Sequence, residues 1–309
     1  MSKHKTPIEN GPKEPQYLQR NAPLAPYTSW LIGGLAEYLS LPKTLENLQL
    51  TLAWAQAKQL PITILGGGTN VLVSDRGVAG LTICLKNFAE IEVEETSERI
   101  FVRCLSGTSK SELLKTFLKF QLAPALFLAG LPGDVGGGVA MNAGVAEGFV
   151  PREFGELVDW IEVLKDGGQI QRFEAKDIHW SYRHSQGWQP GIISQVQVSW
   201  PFVPNPTILD EVKAANRLRL LKQPLDMPSC GSVFMNPPGQ KAAVLIESCG
   251  LKGYAIGDAE VSKKHANFIV NKGRAKASEI RQVIEQVQAT VLHKTGVQLK
   301  TEVVFLGRW

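Results

Sequence analysis

The chain has 309 residues, 44% hydrophobic and 20% charged, with a net charge of +4 at neutral pH; this length suggests about two domains of roughly 150 residues. No Lys/Arg run concentrates the slight positive charge, so nucleic acid is not an expected partner, and no apolar run approaches the ~20 residues of a membrane helix. The four cysteines, Cys84, Cys104, Cys230 and Cys249, lack C-x-x-C spacing and do not cluster with the five histidines, which argues against a metal centre and for reduced, buried thiols.

Residues 1–20 are polar and proline-punctuated. Without an apolar signal segment, they read as a flexible lead-in to a cytoplasmic protein. Leu45, Leu48, Leu52 and Ala55 recur at three- and four-residue steps, which predicts a helix over 43–60 capped by Thr44. Strand-like segments follow at 62–65, 71–74 and 81–85, the first two joined by the glycines of "ILGGGTNVLVSD" (64–75). Ile100, Val102 and Cys104 alternate as in a half-buried strand. A second helix fits 109–122, with Leu113, Leu114, Phe117 and Leu118 on one face. The richest glycine run is "AGLPGDVGGGVAMNAG", 129–144. Strands at 157–164 and 170–173 flank Asp166-Gly167-Gly168, a hairpin signal, and 192–200 reads as another strand. Three prolines in "WPFVPNP" (200–206) mark a boundary. Helices then fit 207–221, 240–249 ending at Gly250, and 278–295 ending at Gly296, with Ile280, Val283, Ile284, Val287 and Val291 at helical spacing. Residues 302–306 close as a strand. Strands and helices do not alternate strictly, so the expected class is α+β.

Glycine loses more conformational freedom on folding than any other residue. Gly66, Gly67 and Gly68 therefore imply a sharp bend or the close approach of another group. Two glycine loops suggest a phosphate-bearing ligand held by backbone N–H groups, with Asn70 and Asn142 as polar anchors. A large dinucleotide would explain the need for both. Neither loop reads G-x-x-x-x-G-K-[ST], and neither carries G-x-G-x-x-G with an acidic residue about 20 positions on, so P-loop and Rossmann sites are unsupported. Tight turns at strand ends would use the same glycines without a ligand.

The blocks "GGGTNVLVSDRG", "GLPGDVGG", "MNAG", "YRHS", "PSCGSVFMNPPG", "GLKGYAIGDAEVSKKHANFIVN" and "EVVFLG" occur in one order. In them the chain resembles the UDP-N-acetylenolpyruvoylglucosamine reductase family over 21–307, in its shorter form. The resemblance implies a PCMH-type FAD-binding domain over 21–203, with two α+β subdomains at about 21–88 and 89–203. A smaller α+β substrate-binding domain over 207–300 would follow, with a closing strand at 301–309 carrying a catalytic glutamate. Non-covalent FAD would lie against Gly66, Gly67, Gly68, Thr69, Asn70, Gly130, Gly133, Gly136, Gly137, Asn142 and Gly144.

The implied reaction is reduction of UDP-GlcNAc-enolpyruvate to UDP-N-acetylmuramate in peptidoglycan precursor synthesis, with NADPH as reductant and no metal. NADPH rests on the resemblance alone, since the chain shows no separate 2′-phosphate motif, and no oligomeric state is implied. Arg183 matches the arginine that pairs with the substrate carboxylate, Ser232 the proton donor and Glu302 the glutamate at the developing charge. Tyr182, Lys222 and Asn236 match sugar-nucleotide contacts; His265 is expected either to line the same pocket or, as an isolated histidine more often does, to be structural. Leu31, Asp134 and Val145-Ala146-Glu147 depart from the pattern, near the expected flavin site. Asp134 is expected to face away from the phosphates and to cap a helix at 135–139. Two rival readings are a flavin oxidase of the same fold acting on a sugar or hydroxy acid, and a flavin-binding module without catalysis. The first would tether flavin to a His or Cys, which 64–75 and 129–144 lack, and has no place for the Ser232 and Glu302 blocks; Arg183, Ser232 and Glu302 together argue against the second.

Overall fold

A computed structural model describes residues 12–145 and 150–309. Most of the expected lead-in, 1–11, lies outside these residues, as do Ala146 and Glu147. The lead-in ends earlier than expected, because Gln19 and Arg20 already pair with Leu39 and Tyr38.

The first lobe contains β1 (Gln19–Pro23), β2 (Leu35–Ser40), α1 (Leu45–Ala57), β3 (Ile62–Leu65), β4 (Val71–Val73) and β5 (Val78–Cys84). Four strands form a sheet in the order β1-β2-β5-β3, antiparallel at β1/β2 and parallel elsewhere. Thr44 Oγ1 accepts the Asn47 N–H at 3.1 Å and starts α1 as its sequence predicts. The helix buries Leu48, Leu52, Trp54 and Ala55 against Leu81 and Ile83 of β5.

The second lobe runs β6 (Ile91–Glu95), β7 (Arg99–Leu105), α2 (Lys110–Lys119), α3 (Pro124–Leu128), α4 (Val135–Ala140), β8 (Val158–Leu164), β9 (Ile170–Glu174), β10 (His179–Ser181), β11 (His184–Gln186) and β12 (Ile192–Pro201). Its antiparallel sheet has the order β6-β7-β12-β8-β9. Ser109 and Glu112 cap α2 reciprocally. Leu113 and Phe117 of α2 then pack with Val102, Phe127 and Val196. Gly167 and Gly168, both at left-handed φ, turn β8 into β9 as expected.

The third lobe holds α5 (Ile208–Lys222), α6 (Ala242–Ser248), β13 (Ala255–Ile256), β14 (Ala259–Val261), β15 (Ile269–Asn271), α7 (Ala277–Thr295) and β16 (Val304–Leu306). Two expectations change here. Helix α5, assigned by the proline break to the third unit, buries Ile208 and Val212 in the core of the second lobe. Its Arg219 also donates to Ala129 O at 2.8 Å. Glu302 lies ahead of β16 rather than on a strand, and β16 pairs in parallel with β4 of the first lobe.

The first and third lobes interlock. Trp30, fully buried, donates its indole N–H to Ile269 O at 2.8 Å, and Asn271 Nδ2 donates to Trp30 O at 2.9 Å. The Asp75 carboxylate accepts the Ala277 and Ser278 N–H groups at 2.8 and 2.9 Å, capping α7 from another lobe. At the other end of α7, Gly296 adopts the left-handed conformation and satisfies Leu292 O.

Candidate active site

A cavity of roughly 2030 Å³ runs between the lobes. The Gly66–Asn70 loop and the second glycine loop form adjoining parts of its wall. The glycines answer a need that sequence alone misplaces. A Cβ on Gly67 would stand 2.9 Å from Gly133 Cα, and one on Gly66 2.5 Å from Asp134 Oδ2. On Gly68 it would strike the Tyr27 carbonyl, and on Gly136 the Ser106 side chain. What approaches these α-carbons is the rest of the protein. The loops close on each other, and their backbones border the cavity.

Gly66, Gly67, Gly68, Thr69, Asn70, Gly130, Gly136, Gly137 and Gly144 all line that space. Gly133 and Asn142 do not. Gly133 sits behind Thr69 at φ +89. Asn142 is fully buried; it donates to Glu153 Oε2 and Ser181 O and accepts the Gly155 N–H. It thus fixes the turn end of the β10–β11 hairpin, beside Arg183, instead of reaching a ligand. Asn70 lines the cavity, yet its Nδ2 donates to Glu302 O at 2.9 Å and its carbonyl accepts the Val304 N–H. Three buried polar atoms of cavity-lining residues, Ser29 Oγ, Ser106 Oγ and Asp134 Oδ2, have no hydrogen-bond partner among the described residues. Buried polar groups are seldom left unpaired. An elongated, phosphorylated cofactor fits a wall that offers backbone amides, hydroxyls and ample volume.

Arg183, Ser232 and Glu302 meet on the same cavity. Arg183 occupies the two-residue turn between β10 and β11 at φ +59, a conformation unfavourable for a residue with a side chain. Its Nε donates to Glu302 Oε1 at 3.1 Å and its Nη2 to Gly144 O at 3.1 Å, and its guanidinium lies over the Tyr182 ring at 4.8 Å. A Cβ on Gly144 would come within 2.8 Å of Nη1, so glycine there makes room for the guanidinium. Ser232 follows Gly231, whose φ of +81 turns the chain. Tyr182, Lys222 at the end of α5, and Asn236 also line the cavity; Asn236 Oδ1 accepts the Ala242 N–H that opens α6. His265 lies outside the lining, edge-on to Phe268 at 4.8 Å.

Burial pushes the Glu302 carboxyl above its ordinary value, and the Arg183 guanidinium pulls it partly back. A carboxyl raised in this way binds its proton more tightly folded than unfolded. Its stabilising contribution is therefore present below the ordinary value of 4.5 and is lost as pH rises through the folded value. Relative to Glu302→Gln, the wild type is expected to lose stability as pH climbs above 4.5. Urea denaturation of both proteins across a pH series reads this directly, and parallel profiles would contradict it.

Sequence reasoning passed over Asn267, two positions beyond His265. Asn267 is buried and lines the cavity; Oδ1 accepts the Phe234 N–H at 2.9 Å and Nδ2 donates to Phe234 O at 2.8 Å, while its carbonyl accepts the Val233 N–H. It clamps the segment that carries Ser232. The available signal was polar asparagines in "HANFIVN", set among apolar residues. Asn267→Ala leaves both Phe234 groups unpaired and is expected to lower stability by about 1–3 kcal/mol. Thermal melting should show a drop of several degrees; an unchanged melt would remove the clamp.

Asp134 forms the expected helix cap, its Oδ1 accepting the Gly137 N–H at 2.6 Å. It is not turned away from the loops, however. The residue is 4% exposed and wedged against Gly66. Leu31, another departure, is 58% exposed on the cavity wall at φ +57.

Residues 36–174 match a family described as an FAD binding domain, and residues 223–306 match the family of the UDP-N-acetylenolpyruvoylglucosamine reductase C-terminal domain. The UDP-N-acetylenolpyruvoylglucosamine reductase of Moorella thermoacetica is 38% identical over 93% of this chain and 92% of its own length. That of Lactobacillus delbrueckii subsp. bulgaricus is 39% identical over 94% and 95%. The crystal structure of the reductase from Thermus caldophilus aligns with a TM-score of 0.77 at 30% identity, covering 94% of this chain and 98% of that one. These matches bear out a PCMH-type FAD-binding domain followed by a reductase C-terminal domain.

Proposed function

Since this chain belongs to the UDP-N-acetylenolpyruvoylglucosamine reductase family, and so is a flavoenzyme of peptidoglycan precursor synthesis, we propose that its cavity binds FAD, NADPH and UDP-GlcNAc-enolpyruvate. The observation that carries this reading is the meeting of Arg183 and Glu302, 119 residues apart in sequence, on a cavity that Ser232 also lines. FAD, when bound, supplies the hydride chemistry, taking reducing equivalents from NADPH and passing them to the enolpyruvyl group. The glycine loops hold its diphosphate without a covalent link.

Arg183 orients the substrate carboxylate through its planar fork of donors. That fork also holds Glu302, so an entering carboxylate competes for the same guanidinium. Glu302 stays beside the carbon where negative charge develops. The Ser232 hydroxyl delivers the proton to that carbon, positioned by the Gly231 turn and the Asn267 clamp. Tyr182, Lys222 and Asn236 contact the sugar nucleotide. The product is UDP-N-acetylmuramate, made in the cytoplasm.

The visible spectrum of the purified protein tests the reading. A flavin band should bleach under NADPH without oxygen and return on adding UDP-GlcNAc-enolpyruvate. Protein that binds no flavin, or whose reduced flavin ignores the sugar nucleotide, would overturn it.

A further inference from the structure

Lys110 and Asp134 are the two buried charges of the glycine-loop wall, and neither forms a salt bridge among the described residues, although the Lys110 ammonium also lies over the Phe154 ring at 5.9 Å. Lys110 is 5% exposed and stands at the first position of α2. A cation there opposes the helix macrodipole. Its Nζ donates to Pro132 O at 2.8 Å, its backbone N–H donates to Gly133 O at 3.0 Å, and its Cε lies 2.9 Å from where a Cβ on Gly138 would sit. The side chain is thus threaded behind the 132–138 segment, and glycine at 138 makes the space. Burial lowers the ammonium to about 8, and Asp134 acts in the opposite direction.

Asp134 is the complementary case. Its Oδ1 is committed to Gly137, whereas Oδ2, fully buried, lies against Gly66 with no geometric hydrogen bond among the described residues; burial pushes the carboxyl up, and Lys110 and the Gly137 and Gly67 N–H groups pull it back. Both residues line the cavity. A carboxylate in this wall would repel an anionic ligand, yet the same wall carries a buried cation with no direct salt bridge to spend it on among the described residues.

We propose that Lys110 is a further diphosphate-site residue, whose ammonium offsets Asp134 and leaves the loop wall able to accept the diphosphate of a dinucleotide. The inference rests on the FAD reading above. Asp134 serves the loop by capping α4 and wedging the two glycine segments together. Lys110 neutralises the electrostatic consequence of placing a carboxylate there. The pair therefore builds the loop with charge while presenting no net charge to the ligand.

Flavin fluorescence titration of apoprotein tests the proposal, with FAD as the probe and thermal melting of each apoprotein as the control for folding. Opposite charges near one anion predict opposite effects. Lys110→Met should weaken FAD binding about tenfold to several hundredfold. Asp134→Asn keeps the cap, leaves the Lys110 charge uncompensated and should bind FAD more tightly than wild type by about the factor that Lys110→Met loses. The double variant should return to within about threefold of wild type. Should Lys110→Met fail to fold, the step from Asp134→Asn to the double variant carries the test, and it should weaken binding at least tenfold. Lys110→Met binding within threefold of wild type would overturn the proposal, as would a double variant as weak as Lys110→Met, or Asp134→Asn binding tenfold more weakly than wild type. A wild-type apoprotein that does not bind FAD would instead overturn the underlying flavin reading, so the two failures are distinguishable.

Discussion

Ser232→Ala is expected to leave reduction of the flavin by NADPH at the wild-type rate and to slow turnover of the sugar nucleotide by about 10²–10⁴-fold, the usual contribution of a positioned general acid. The asymmetry comes from the division of labour in the cavity. Ser232 lies on the same cavity as Arg183 and Glu302, and protonation belongs only to the second half-reaction. The substitution removes one oxygen and leaves the supporting bonds intact, because Asn267 holds Val233 and Phe234 rather than Ser232. Stopped-flow traces of the two half-reactions separate the effects. Equal slowing of both would show that Ser232 supports the fold or the flavin, and the proton-donor role would fall.

Arg183→Lys should be nearly as damaging, although it keeps the charge. The guanidinium bonds simultaneously to Glu302 Oε1 and Gly144 O, and it stacks on Tyr182. A lysine ammonium is a point charge on a flexible stem and cannot span that geometry while gripping a carboxylate with two parallel bonds. A small misplacement of the reacting group can reduce rate about 10²-fold, and a loss of that order is expected in single-turnover reduction of the substrate. Flavin reduction by NADPH should be unchanged. The variant also leaves Glu302, half of a pair whose side chains are each 17% exposed, without its oriented partner. A single-turnover rate near that of the wild type would exclude Arg183 as the carboxylate-orienting group.

The local features of this chain were legible because their causes lie within a few residues. The Thr44 cap, the apolar spacing of α7, the stop at Gly296 and the turn at Gly167-Gly168 are all short-range chemistry, and each formed where the sequence placed it. The ordered glycine, serine and arginine blocks carried the family, which the full-length relatives bear out.

What sequence could not decide depends on contacts between distant segments. The proline break at 200–206 looked like a boundary, but burial of Ile208 and Val212 binds α5 to the second lobe. Asn142 carried the residue type of a ligand anchor, yet its side chain is consumed by Glu153, Ser181 and Gly155. Asn70 was expected at the cofactor and also anchors the Glu302 backbone. Gly66 and Gly67 invited a ligand reading for their missing side chains, whereas the space is filled by Asp134 and Gly133. Sequence by itself determined where the chain turns, which faces are apolar and which family's blocks it carries, since backbone conformation and side-chain periodicity are local properties. Only the tertiary structure decided which polar groups are consumed by the fold and which face the cavity, because burial and hydrogen-bond pairing are fixed by whatever segment happens to pack alongside.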